Sequence, residues 1–214
     1  GMLVFDVGAN LGNYTQLFLD KKTKVIAVEP QTYCNDFLHL RFGKNKNVTL
    51  LKCGLGSTEE EKELLVSSAH TLSSFNSDWV KGVNVTERFK ASNVNWEKKE
   101  TIPMKTLEGL IREYGVPDYL KIDVEGYETE VLKGLRQKIA MVSYEFTIPE
   151  LSDDAILCAR LLSEIAPYEF LSILDESRSG NWISLENIIK EILQLKNSNK
   201  LHGGDIFARL VKHQ

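Results

Sequence analysis

The chain has no Cys-x-x-Cys pair, no histidine cluster, no excess of positive charge and no apolar run long enough to span a membrane. Each absence removes a class of function. Cys34, Cys53 and Cys158 lie far apart, so free thiols in a reducing compartment are expected rather than a disulfide framework or a zinc site. A formal charge of −4 offers no basic field to nucleic acid or anionic lipid. No signal-peptide pattern is found, Gly1 before Met2 reads as a cloning remnant, and a cytoplasmic protein that does not enter membranes is expected. Three Asn-x-Ser/Thr matches, at Asn13, Asn47 and Asn84, are then chance matches. At 214 residues, with 43% hydrophobic and 26% charged, the chain is expected to form one domain over 1–214.

What is present begins with a strand, a turn and a helix. Met2 to Phe5 and Val7 run into Gly8-Ala9-Asn10-Leu11-Gly12, after which Tyr14, Leu17 and Phe18 recur at helical spacing. This layout suits anions, because the first-turn N–H groups of the helix face the ligand. Gly8 and Gly12 permit a sharp bend and a close approach. The spacing G-x-x-x-G does not meet the dinucleotide pattern G-x-G-x-x-G. Asp6, an acid inside the strand, needs a hydrogen bond if it is buried. Together they suit a zwitterion, with its ammonium at Asp6 or backbone carbonyls and its carboxylate at the helix end.

Lys24 to Val28 reads as a second strand ending at Glu29-Pro30, where Pro30 stops the ladder. Glu29 stands about twenty residues past the turn, where nucleotide-binding units place an acid for ribose hydroxyls; that role is favoured over a solvated strand end. A helix over Thr32 to Phe42, a strand over Val48 to Lys52 and a turn at Cys53-Gly54-Leu55-Gly56-Ser57 follow. Small residues there could receive an adenine ring, and Cys53 reads as packed rather than nucleophilic. Lys62–Val66 and Glu100–Met104 read as a hairpin-like pair. Between them, about 68–100, lies an insertion expected to act as a lid, with His70, Ser73 and Ser74 as polar candidates and Trp79 and Phe89 as local packing. For His70 an ordinary surface position is favoured over catalysis.

Thr106 caps a helix to Tyr114, closed by Gly115. Leu120, Ile122 and Val124 alternate along a strand whose end carries Asp123, Glu125 and Glu128. Acids at a helix start are stabilised by its dipole, which would explain Glu125 and Glu128 without function. Asp123 lies at the carboxyl end of the strand, where open α/β sheets bind ligands. A helix over Glu130–Lys138, a strand over Ile139–Phe146 bearing Glu145, a helix over Asp153–Ile165, a strand over Phe170–Leu174, a polar loop over 175–182, a helix over Leu185–Leu195 and a strand over Ile206–Leu210 complete the pattern.

These pieces resemble the FkbM family of S-adenosylmethionine-dependent methyltransferases. The resemblance rests on Asp6-Val7-Gly8-Ala9-Asn10-Leu11-Gly12, Val28-Glu29-Pro30, Gly54-Leu55-Gly56, Lys105-Thr106-Leu107-Glu108, Tyr119 through Glu128 and Val131-Leu132-Lys133-Gly134, in family order from Asp6 to about Phe146. It implies a Rossmann-like class I methyltransferase fold: an α/β, seven-stranded, mostly parallel sheet with helices on both faces and the last strand antiparallel. It implies S-adenosyl-L-methionine as cofactor, with Asp6, Gly8, Asn10 and Gly12 around its methionine end. Glu29-Pro30 would lie at the ribose, and Cys53, Gly54 and Leu55 at the adenine. Asp123 and Glu125 would border the transferring methyl. Cys53-Gly54 stands where many methyltransferases carry an acid, as is usual in this family. Members often have helices before the first strand, and this chain starts almost on it. A partner subunit in a homo-oligomer would be one way to close that wall.

The expected reaction is O-methylation of a hydroxyl on a small-molecule acceptor, a sugar or secondary metabolite. Asp123 is the first choice as base or acceptor-orienting group, with Glu125 or Glu145 second. Asp123 and Glu145 could instead share a divalent metal, but with no histidine nearby the metal-free reading is taken. Two other classes compete. An NAD(P)-dependent oxidoreductase would need the tighter glycine pattern and a Tyr-x-x-x-Lys donor, neither of which is found. A non-catalytic S-adenosylmethionine-binding protein would keep Gly8 and Glu29 but tolerate loss of Asp123.

Overall fold

The computed structural model describes residues 1–174, 180–198 and 200–211. Seven strands form one sheet: β1 (Leu3–Val7), β2 (Lys24–Val28), β3 (Val48–Leu51), and, after a two-residue β4 (Gly54–Leu55) and β5 (Glu61–Val66) outside it, β7 (Tyr119–Ile122), β8 (Met141–Ile148), β9 (Tyr168–Ile173) and β10 (His202–Leu210). Their order is β3-β2-β1-β7-β8-β10-β9, parallel except for β10, which runs against both β8 and β9. The expected sheet is therefore the one observed. Order reverses between β1 and β7, which opens a crevice at their carboxyl ends.

Helices cover both faces. On one side α4 (Leu107–Tyr114), α5 (Glu128–Lys133), α6 (Ser152–Ile165) and α7 (Leu185–Lys196) bury Leu110, Val131, Leu162 and Ile188 against Phe5, Ile122, Tyr144 and Ile206 of the strands. The other face has a smaller core, in which Leu38 and Phe42 of α2 (Thr32–Phe42) meet Val25 and Ala27. α1 (Asn13–Asp20) lies beside it with Thr15 buried, while Tyr14 and Leu17 stay about half exposed. No described helix is long and apolar enough to cross a membrane.

Elsewhere the pattern and the structure meet with local differences. Thr106 caps α4 by accepting the Gly109 N–H, and Gly115 closes it in the left-handed region. α5 covers Glu128–Lys133 rather than 130–138, and Gly134 ends it. The Cys53–Ser57 turn contains β4, which pairs with β6 (Lys98–Lys105), and β6 pairs antiparallel with β5. The loop expected at 175–182 lies outside the described residues over 175–179.

The insertion folds back on the sheet. Its helix α3 (Ser77–Val85) seats Trp79, Val80 and Val83 with Leu151, and Phe89 and Trp96 close around the Trp79 ring. Trp79 Nε1 donates to Thr147 Oγ1 at 3.2 Å, and Arg88 pairs with the enclosed Glu150 carboxylate at 2.6 Å. These contacts seat the segment as a roof over the ends of β7 and β8.

The turn after β1 is set by glycine. Gly8 has φ +79, and a Cβ there would stand 1.7 Å from the Asp123 carbonyl oxygen. Gly8→Ala is therefore expected to cost at least about 3 kcal/mol, combining a left-handed backbone with a backbone clash. Denaturant unfolding reads the loss, and a midpoint equal to wild type would contradict this packing.

Candidate functional site

A cavity of about 990 Å³, counting its open mouth, lies over the carboxyl ends of β1, β2 and β7. That is room for a nucleoside-sized ligand. Gly8, Asn10, Glu29, Pro30, Cys53, Gly54 and Leu55 line it, and so do Asp123 and Glu125. Asp6, Gly12 and Glu145 are not in its wall.

Asp6 differs from expectation because the strand encloses it. Its Oδ2 accepts the Thr15 hydroxyl at 2.6 Å, and Lys121 Nζ stands 3.8 Å from Oδ1. With no exposure, Asp6 cannot meet a ligand ammonium and instead ties β1 to α1 and β7. Burial raises its pKa, against the pull of Lys121 and Thr15. Gly12 is also structural: a Cβ there would strike Phe42 and Leu38.

The turn is stitched to the end of β2. Gly8 and Ala9 both donate backbone N–H bonds to the Val28 carbonyl at 3.0 Å. Asn10 takes a left-handed backbone at φ 50, which asparagine tolerates better than most residues, and its side chain accepts the Leu11 N–H. Glu29 is 2% exposed and accepts the backbone N–H groups of Asn10 and Gln31, each at 2.8 Å and one on each oxygen. Burial pushes its carboxyl up to about 7, with those two bonds pulling the other way. The Gln31 side chain pulls on the carboxylate as well, and of its roughly four lone-pair sites these contacts leave room for a ligand hydroxyl.

The adenine-sized end is apolar. Cys53, Gly54, Leu55, Leu64 and Phe75 meet there, and the Phe75 ring lies so close to Gly54 that a Cβ would approach it to 2.8 Å. Burial pushes the Cys53 thiol up to about 11, which suits a packed residue and not a nucleophile. All three cysteines are free and buried.

At the other end carboxylates gather. Asp123, Glu125 and Glu145 each bring an oxygen into a group spanning no more than 4.8 Å. Glu145 thus joins the other two without lining the cavity. Burial raises Glu125 well above the usual carboxylate range, reinforced by Asp123 and Glu128. Glu145 is raised well above it too, by burial first and then by Glu125 and Asp123. Lys121 Nζ lies 3.0 Å from Asp123 and 4.7 Å from the centre of the Tyr14 ring. Burial would pull Lys121 down, but Asp123 and Asp6 hold its pKa above the ordinary lysine value. Three such oxygens can share a proton or hold a hard divalent cation.

The insertion shapes this end. Ser74 Oγ donates to the Glu125 carbonyl at 2.6 Å and Asn76 Nδ2 to the Gly126 carbonyl at 2.7 Å. Glu125 is held at φ 55, so these bonds fix a backbone its residue type avoids. Glu128 begins α5 and is also enclosed: it is 4% exposed and accepts the Val124 N–H.

Sequence reasoning gave no role to Lys121, Gln31 or Phe75. Lys121 carried a signal, a cation inside an apolar strand, since a buried charge needs a partner. Gln31 and Phe75 carried none.

Comparison of the sequence with known proteins finds a methyltransferase family. The family described as the methyltransferase FkbM domain matches residues 6–175. Methyltransferase sdnD of Sordaria araneosa is 30% identical over 171 residues, 63% of this chain and 61% of that protein. The chain thus spans about 61% of the length of that curated relative. Among solved structures, methyltransferase FkbM from Methylobacillus flagellatus is similar at 15% identity and TM-score 0.48, over 98% of this chain and 43% of that one. Precorrin-6y C5,15-methyltransferase from Geobacter metallireducens is similar at 11% identity and TM-score 0.47, over 98% of this chain and 80% of that one.

Proposed function

This chain belongs to the methyltransferase FkbM family, and on that premise we propose that it transfers a methyl group from S-adenosylmethionine to a hydroxyl of a small acceptor, a sugar or secondary metabolite. One observation carries the reading: a single cavity joins a carboxylate with free lone pairs, Glu29, to a carboxylate group at Asp123 and Glu125. Glu29 suits the ribose diol of the donor, and the apolar end at Cys53, Leu55 and Phe75 suits its adenine. The methionine carboxylate suits the first turn of α1. Its ammonium, out of reach of Asp6, is left to backbone carbonyls and Asp123.

The chemistry is displacement at a carbon already activated by a sulfonium. An O–C bond forms, the C–S bond breaks, and the hydroxyl proton passes to a carboxylate. Asp123, pinned by Lys121, orients the acceptor hydroxyl and is the first group placed to receive its proton. Glu125 and Glu145, both raised above the ordinary range, lie close enough to share it. The roof over 67–97 keeps water from this end. The three oxygens also suit a divalent cation, but the proposal uses a shared proton and no metal.

An acceptor panel tests it. The protein is incubated with S-adenosylmethionine and hydroxylated or amine-bearing small molecules, with and without a chelator. The expected product is a methyl ether, with S-adenosylhomocysteine released and turnover unchanged by the chelator. Methylation confined to amines would overturn the acceptor class, and loss of turnover with chelator would overturn the metal-free mechanism.

A further inference from the structure

We propose that Asp6 is a positioning residue for methyl transfer: it is the second seat of the Lys121 ammonium, taken up when Asp123 receives the acceptor proton. The inference rests on the reading of Asp123 above.

Asp6 of β1 and Lys121 of β7 stand opposite each other across the strand pair. Lys121 Nζ donates a hydrogen bond to Asp123 Oδ2 at 3.0 Å, and it lies 3.8 Å from Asp6 Oδ1, too far for one. The ammonium therefore leans toward Asp123. Asp6 is left half served: its Oδ2 accepts the Thr15 hydroxyl, while its Oδ1 is buried with no hydrogen-bond partner. A buried acceptor in that state is unfavourable, and such a group in a folded protein calls for an explanation. Movement of Nζ by about 1 Å gives Oδ1 its bond, within the freedom of a four-carbon stem.

The reaction itself releases the ammonium. As the O–C bond forms and the C–S bond breaks, the hydroxyl proton passes to Asp123, and the carboxylate that held Lys121 becomes neutral. Asp123 is the member of the trio open to solvent: its side chain is 33% exposed, against 5% for Lys121 and none for Asp6. A buried ammonium facing only a neutral acid lacks a counterion, and Asp6 supplies it. Among the described residues no other carboxylate lies within 4.0 Å of Nζ, and Asp205 of β10 acts on it from farther away. One cation thus steadies the Asp123 charge before transfer and stays paired after it.

A crystal structure and a kinetic cycle test this. Asp123→Asn imitates the protonated acid, neutral and of the same shape, and still offers Lys121 an oxygen. The ammonium must then choose between a neutral and a charged acceptor, and Nζ is expected about 2.8 Å from Asp6 Oδ1. Nζ remaining near 3.8 Å would overturn the proposal. Asp6→Asn keeps an acceptor for Thr15 but not the charge. It is expected to lower kcat about tenfold, the low end for a hydrogen bond to a charged group, with donor affinity and acceptor KM unchanged. In the Asp123→Asn background, where no proton arrives, Asp6→Asn should lower turnover no further. Equal losses in both backgrounds would make Asp6 purely structural and overturn the proposal. The crystallographic arm does not depend on the folding of Asp6→Asn. A wild type that binds donor yet methylates no acceptor would overturn the reading of Asp123, and the inference with it.

Discussion

Glu29→Gln is expected to weaken S-adenosylhomocysteine binding about 100-fold near pH 8 and to flatten its pH dependence. The magnitude follows from two ligand hydroxyls exchanging a charged acceptor for a neutral one, a loss of about 1–1.5 kcal/mol each. The pH dependence follows from burial. The Glu29 carboxyl sits at about 7 in the donor-free protein, and hydroxyl donors favour its ionised form. Wild-type binding should therefore tighten about tenfold between pH 6 and pH 8, and the glutamine variant should not follow.

Stability should move the other way. The folded pKa of Glu29 lies above its unfolded value of 4.5, so its contribution is fully present below that value and is lost as pH rises toward about 7. The loss amounts to about 3 kcal/mol. Glutamine removes this titration, so the variant should gain stability relative to wild type across that window even as its affinity falls. Opposite signs separate a binding contact from a folding defect. A variant that keeps wild-type affinity at pH 8 would contradict the assignment.

Asp123→Ala is expected to lower methyl transfer about 1000-fold, the range of a lost general base or acceptor-orienting group, while donor affinity falls about tenfold, the scale of the lost ammonium contact. Lys121 keeps Asp6 as an ion partner at 3.8 Å, so the fold has a route to survive. Asp123→Asn controls for this, since it retains a hydrogen-bond acceptor for Lys121. Both variants should lose turnover alike if charge at this position matters. With S-adenosylhomocysteine release as the readout, near-normal turnover in the asparagine variant would remove Asp123 from its role. Turnover would then have to rest on Glu125 and Glu145.

Much of this arrangement was legible in the chain, for reasons of range. The glycine turn, Glu29 and the end of β7 are local features, each marked by an apolar run meeting glycine, proline or acid within a few residues. The pair at β5 and β6 was readable because a short run with apolar residues stands on each side of the insertion. The enclosure of Asp6 was not, because it depends on register: Asp6 stands opposite Lys121 across β1 and β7, and no local pattern specifies that neighbour. His70 reached the cavity through its own carbonyl, a group every residue carries, so its side chain held no hint of its address. Glu128 read as an acid at a helix start, and α5 does begin with it, but its burial and its bond from the Val124 N–H follow a left-handed Glu125-Gly126 turn that no local pattern specifies. The helical spacing of Tyr14 and Leu17 marked α1 but not its inner face, which turns Thr15 toward Asp6 and leaves those two about half exposed.

The most direct test of the central claim is calorimetric titration of the protein with S-adenosylmethionine and S-adenosylhomocysteine, with NADH alongside. Micromolar binding of the first two and none of the third is the predicted result. Binding of NADH alone, or of none of the three by a folded sample, would contradict it.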